Sequence, residues 1–192
     1  MALDYQRRLI TADEFFRMAE TGILGPDERV ELLEGEIIVR PMMNPPHFAS
    51  VARLNELFVL SLGRRATIVP QSHIVLSEYN APAPDFSILL RQEDFYIHAR
   101  PTIPDIYALI ECADTSLSYD RGKKLKVYAH CGVAEYWIVN LRRRQVEIHR
   151  HPHDLGYADT FIAYPGETVA FGAISDVVFA VDDLLGPALE VG

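Results

Sequence analysis

The chain has 192 residues, 49% of them hydrophobic and 23% charged, which suits one soluble globular domain with a sizeable core. Its formal net charge of −9 argues against a broadly basic, nucleic-acid-coating surface, yet leaves room for a local contact around an acidic, cation-requiring site. No apolar run approaches the roughly 20 residues of a membrane helix. The opening MALDYQRRLITADEFF lacks a signal-peptide core, and Cys112 and Cys131 alone suggest no disulfide framework. A cytoplasmic protein with no membrane partner is the expectation.

Thr11-Ala12-Asp13-Glu14 has capping-box spacing and predicts a helix to Glu20, ending at Gly22, with Phe15, Phe16, Met18 and Ala19 packed inward. RVELLEGEIIVRPM predicts a β-hairpin turning at Gly35. Glu31, Glu34 and Glu36 crowd that turn, where any single acid is by default solvated. Residues 41–46 form a loop, and His47 opens an amphipathic helix carrying Phe48, Val51, Leu54, Leu57, Phe58 and Leu62. His47 itself either faces a site or helps cap the turn, and the capping role is the default reading. Residues 67–79 read as one or two strands, TIVPQ and HIVLSEY, with Gln71 and His73 on a face that would approach a site.

Asp85 precedes the apolar run Phe86–Leu90, and Glu111 follows the run Tyr107–Ile110. Both runs read as buried strands, and an acid at the edge of a buried strand is costly unless something pairs with it. Residues 91–104 between them read as a surface loop. Tyr119 opens a helix, with Asp120 as N-cap and Gly132 at its C′ position. Glu135–Asn140 and Gln145–Arg150 predict a second hairpin around the basic turn Arg142-Arg143-Arg144, a solvated loop or a phosphate contact. Residues 159–171 and 175–185 supply closing strands and a short terminal segment.

Hydrolysing a phosphodiester requires charge stabilisation and an activated water, both of which a divalent cation provides. Hard Mg²⁺ or Mn²⁺ prefers carboxylate oxygen, so Asp85 and Glu111, brought together by adjacent strands, are the candidate metal ligands. A third acid would come from the first hairpin or the helix beyond it. Lys123, Lys124 and Lys126 follow Glu111 on the next helix, and Lys124, four residues from Asp120, is the one assigned inward as general base or charge stabiliser.

The segments VELLEGEIIVRPM and NPPH, then APAPDF, ALIECADTS and YDRGKKLKVYAHCGVAEYWIVN resemble the Uma-two family, a branch of the PD-(D/E)XK nuclease superfamily. The resemblance spans about Thr11 to Leu185. It implies an α/β (α+β) restriction-endonuclease-like fold in one domain, 1–192, with a mixed central sheet flanked by helices. It also implies Mg²⁺-dependent cleavage of DNA, commonly by a homodimer. Asp85 matches the Asp of the PD element, Glu111 the acid of the (D/E)XK element, and Glu31 is the first choice for the N-terminal acid, with Glu36 behind it. Ala113 stands where the superfamily places its lysine, and Lys124 on the next helix is the replacement.

A nuclease fold that only binds or regulates would keep the same acids. A transition-metal site from His149, His151 and His153 conflicts with Pro152 and with the absence of paired cysteines. Cys131, before Gly132 at a helix end, reads as a packing residue rather than a nucleophile. No helix-turn-helix, zinc finger or basic arm offers base-sequence readout.

Overall fold

The computed structural model describes residues 6–188; the first five residues of the N-terminal stretch considered above lie outside them. Helix α1 (Ala12–Glu20) begins as the capping box predicts: Thr11 Oγ1 accepts from the Glu14 amide at 3.2 Å, and Glu14 Oε2 accepts from the Thr11 amide at 3.1 Å. Phe15 is buried and Phe16 and Met18 are half-buried, but Ala19 faces solvent, contrary to expectation. A short helix lying on one hairpin buries only a single stripe.

That hairpin is β1 (Val30–Leu33) and β2 (Glu36–Val39). Its two-residue turn holds Glu34 and Gly35 at φ of 54° and 74°, the double left-handed geometry that matches strand twist. A Cβ on Gly35 would stand 2.6 Å from Leu9 Cβ, so nothing larger fits.

Helix α2 (Pro45–Leu62) starts two residues earlier than predicted. Asn44 is its N-cap, accepting from the His47 amide at 3.0 Å, and the two prolines occupy the first turn, where no amide is needed. Leu54, Phe58 and Leu62 form its buried stripe; Phe48 is 62% exposed and lies off it. Each of those buried side chains contributes roughly 1.5–3 kcal/mol.

A six-stranded sheet follows the order β3-β4-β5-β6-β7-β8. Its strands are β3 (Ala66–Pro70), β4 (Phe86–Leu90), β5 (Ile106–Ala113), β6 (Glu135–Asn140), β7 (Gln145–His153) and β8 (Gly156–Ala163). Only β5 and β6 run parallel, and a helical crossover joins them. A second hairpin, β9 (Thr168–Phe171) with β10 (Ile174–Ala180), leads to helix α5 (Val181–Leu185). The segment HIVLSEY forms no strand ladder. Gln71, at φ 47°, turns the chain away after β3, and the amides of Ile74, Val75 and Leu76 bond singly to Pro82, Pro101 and Asn80. Ile74 and Leu76 are nonetheless buried, which is what their hydrophobicity registered.

The crossover comprises α3 (Leu117–Tyr119), a π turn over Asp120–Lys124, and α4 (Leu125–His130). Asp120 is therefore not the N-cap: the helix starts at Leu117, and Asp120 sits inside the π turn, accepting from Ser116 Oγ at 2.5 Å. Gly132, at φ 84°, closes α4 as expected.

Both sheet faces are buried, and strand alternation assigns the side chains. Phe86, Ile88, Ala108, Ile110, Cys112, Trp137 and Val139 pack towards α2, β9–β10 and α5. Leu89, Leu109, Ala113, Tyr136 and Ile138 pack towards α4 with Val127 and Tyr128. By the same parity Asp85 and Glu111 point to the α4 side. Among the described helices none is long and apolar enough to cross a membrane.

Candidate active site

Asp85 stands just before β4 and Glu111 near the end of β5. Phe86 pairs with Ile110 in the antiparallel register, so the two acids meet at one end of the strand pair. Glu31 on β1 approaches from the hairpin. Lys124 joins them from the helix: its Nζ lies 2.8 Å from Glu111 Oε1 and 3.5 Å from Glu31 Oε2. Asp120 and Lys124, four residues apart on one face of the helical segment, are both buried, and the π turn spans the stretch between them. Lys123 pairs outward with Glu34 and Glu36 at 3.5 and 3.4 Å, and Lys126 is exposed. The structure thus brings Asp85, Glu111, Glu31 and Lys124 together and leaves Glu34 and Glu36 at the surface.

Gln71 reaches the site as expected, His47 takes the site-facing one of its two readings, and several further neighbours escaped sequence reasoning. His47 Nε2 lies 3.1 Å from Asp85 Oδ1, so it faces the site instead of merely capping the turn. Gln71 Nε2 donates to the same oxygen at 3.1 Å, and Arg40 reaches it at 3.4 Å. The Cys112 amide donates to Asp85 Oδ2 at 2.9 Å. Tyr128 Oη donates to Glu111 Oε1 at 2.9 Å, and Tyr119 Oη to Glu31 Oε1 at 3.2 Å. His73, the other residue expected near a site, instead contacts the Val30 carbonyl at 2.8 Å and packs on Phe15. The only local signal for His47 was its position beside Asn44 and two prolines, and a contact 38 residues away leaves no mark on it.

The electrostatics follow from four acids crowded around Lys124, Arg40 and His47. Burial raises the Asp85 carboxyl, but the His47 hydrogen bond and charge, the Lys124 charge and the Cys112 amide outweigh it and leave it at about 2. Burial pushes Glu111 up to about 8; Lys124 opposes the rise, while Asp85 and Asp120 add to it. Asp120 rises to about 6, mainly through burial. Burial would lower Lys124, but Glu111 and Glu31 overcome that and raise it to about 12. Glu111 and Lys124 both move up: Glu111 chiefly because burial disfavours its charged form, Lys124 because Glu111 and Glu31 favour its charged form.

These groups line a cleft of about 280 Å³ that also includes Asn44, Asp114, Ser116 and Tyr119. Its acidic side chains offer oxygen donors only, the set hard divalent cations take. Glu111 Oε1 carries both the Lys124 and Tyr128 bonds, leaving Oε2 without a hydrogen bond among the described residues. No three His, Cys, Asp or Glu side chains among the described residues stand close enough to cage a metal ion.

His149, His151 and His153 do not converge. His149 bonds Thr160 Oγ1 at 3.0 Å and stacks on Tyr136, while His151 pairs with Asp159 at 2.7 Å. Arg142 of the basic turn pairs with Asp114 at 2.7 Å, at the cleft's border.

A mixed sheet flanked by helices, with acids meeting at one strand end beside a helical lysine, defines the restriction-endonuclease-like class of fold. The family model described as "Putative restriction endonuclease" (Uma2) matches residues 12–181, and the chain belongs to that family. The chain is also similar to a solved structure titled as "a putative nuclease belonging to DUF820" from Anabaena variabilis. The two share 21% identity at a TM-score of 0.72, over 92% of this chain and 97% of the other, a likeness of fold. No curated protein matches.

Proposed function

We propose that the protein is a Mg²⁺- or Mn²⁺-dependent endonuclease that hydrolyses DNA phosphodiester bonds, working as a single domain and as a homodimer. The observation that carries this reading is the convergence of Glu31, Asp85, Glu111 and Lys124 in one cleft with more negative than positive charge. Family membership supports nuclease chemistry.

Asp85 and Glu111 would hold the ion. When bound, it supplies charge neutralisation at the phosphate and a water acidic enough to attack at neutral pH. His47, Gln71 and the Cys112 amide fix the Asp85 carboxylate in one orientation. Lys124, raised to about 12, is protonated at neutral pH and serves as the charge stabiliser on the phosphate rather than as the base. Glu31 adds a second carboxylate 3.5 Å from the Lys124 ammonium.

The test is nicking of supercoiled plasmid with Mg²⁺ or Mn²⁺ by wild type, Asp85→Ala and Lys124→Ala. Metal-dependent nicking lost in both variants supports the reading. Nicking that survives in both assigns the activity to another centre. A wild type that binds the ion but cleaves nothing moves the protein to the binding-module alternative, with which its net charge of −9 also agrees.

A further inference from the structure

We propose that the cleft is shaped for an unpaired DNA strand rather than for the interior of an intact duplex. This rests on the nuclease reading above and names its substrate class. The reacting groups lie at the bottom of a recess: Asp85 is 1% exposed, and Glu111 and Lys124 are each 3% exposed. A phosphate within a duplex sits on a stiff cylinder, straight over about 150 base pairs, and its neighbours on both sides are fixed. It cannot enter such a recess unless the walls part. A single strand rotates about its own backbone and can turn one phosphate inward.

The rim of the recess points the same way. Val39 and Met42 are 77% and 90% exposed, and both line the cleft together with Pro41 and Met43. Large apolar side chains held in water beside an ionic cavity contribute nothing to the core. They offer a surface for the flat face of a base. In a duplex those faces are stacked and hidden, whereas an unpaired base presents them.

Cations complete the track without widening it. Arg29 and Arg40 line the cleft beside the apolar rim, and Arg142 stands against the cleft residue Asp114 at 2.7 Å. A strand laid across the cleft sets its phosphates towards Arg40, Lys124 and Arg142, with one base against Met42 and Val39. The basic turn thereby gains the phosphate-contacting role that its sequence left open.

The test is fluorescence anisotropy in Ca²⁺, using a short single-stranded oligonucleotide and the same sequence as a duplex, on wild type and Met42→Glu. Cleavage of both DNAs in Mg²⁺ is measured alongside, and circular dichroism confirms that the exposed substitution leaves the fold intact. The single strand is expected to bind wild type about tenfold more tightly than the duplex, and Met42→Glu to lose most of that preference. Equal or tighter duplex binding overturns the proposal, as does a Met42→Glu protein that keeps the full preference. Strand preference with no cleavage of either DNA sinks the nuclease reading and upholds the cleft assignment. Cleavage of the duplex at least as fast as the single strand does the reverse.

Discussion

Glu111 and Glu147 lie in one row across the sheet, separated only by Ile138, and each is 3% exposed. Their surroundings differ in kind. Glu147 takes a two-pronged guanidinium contact from Arg121 at 2.7 and 2.8 Å, with Asn140 and Gln145 adding bonds at 3.0 and 3.1 Å. Burial would raise it, but those hydrogen bonds hold it below the usual carboxylate range. Glu111 shares a single ammonium with Glu31 and lies close enough to Asp85 and Asp120 to be raised by both. One buried glutamate is held ionised by its partners; the other, raised chiefly by burial and further by neighbouring acids, is under-compensated. A matched carboxylate holds the fold together; an unmatched one keeps capacity for a cation that the protein itself does not supply.

The largest effect should come from breaking the unmatched side. Asp85→Ala, Glu111→Ala or Lys124→Met should each lower metal-dependent cleavage by about 10²–10³-fold or more, read as initial nicking rate. Melting temperature should report the ion next. At a hundredfold excess over its dissociation constant, Mn²⁺ should stabilise wild type by about 2.7 kcal/mol and leave Glu111→Gln unmoved.

Glu147→Ala should cost about 2 kcal/mol by chemical denaturation, because it strands Arg121 and the amides of Asn140 and Gln145. Glu111→Gln should behave oppositely. The folded Glu111 carboxyl is raised from 4.5 to about 8, so the native state holds more protons than the unfolded chain across that window, and metal-free stability falls as pH rises through it. Glu111→Gln should flatten that decline. A slope equal to wild type would mean that Glu111 is matched after all. The smallest effect belongs to Glu34→Gln and Glu36→Gln, whose pairs with Lys123 are solvent-facing and worth about 0.5 kcal/mol at most.

The acids at the ends of strands were legible because an apolar run and its flanking carboxylate are contiguous in sequence. The two-strand pairing that joins Asp85 to Glu111 followed from adjacency alone. The choice among Glu31, Glu34 and Glu36 was not legible from the residues: all four positions of β1 are buried, so no alternation singles out Glu31. The π turn left no trace either, since DRGKK has no periodicity distinct from an α-helix; the four-residue spacing of Asp120 and Lys124 was enough to place them on one face. Gln71 was expected near the site from its alternation, but its partner was not, and His47 and Arg40 reach Asp85 from separations of 38 and 45 residues, contacts that exist only once the chain is folded.

Calorimetric titration of Mn²⁺ into wild type, Glu111→Gln and Glu147→Gln tests the central contrast most directly. The account predicts ion binding by wild type, loss of it in Glu111→Gln, and retention of wild-type affinity in folded Glu147→Gln. Equal binding by wild type and Glu111→Gln, or no binding by wild type, would contradict it.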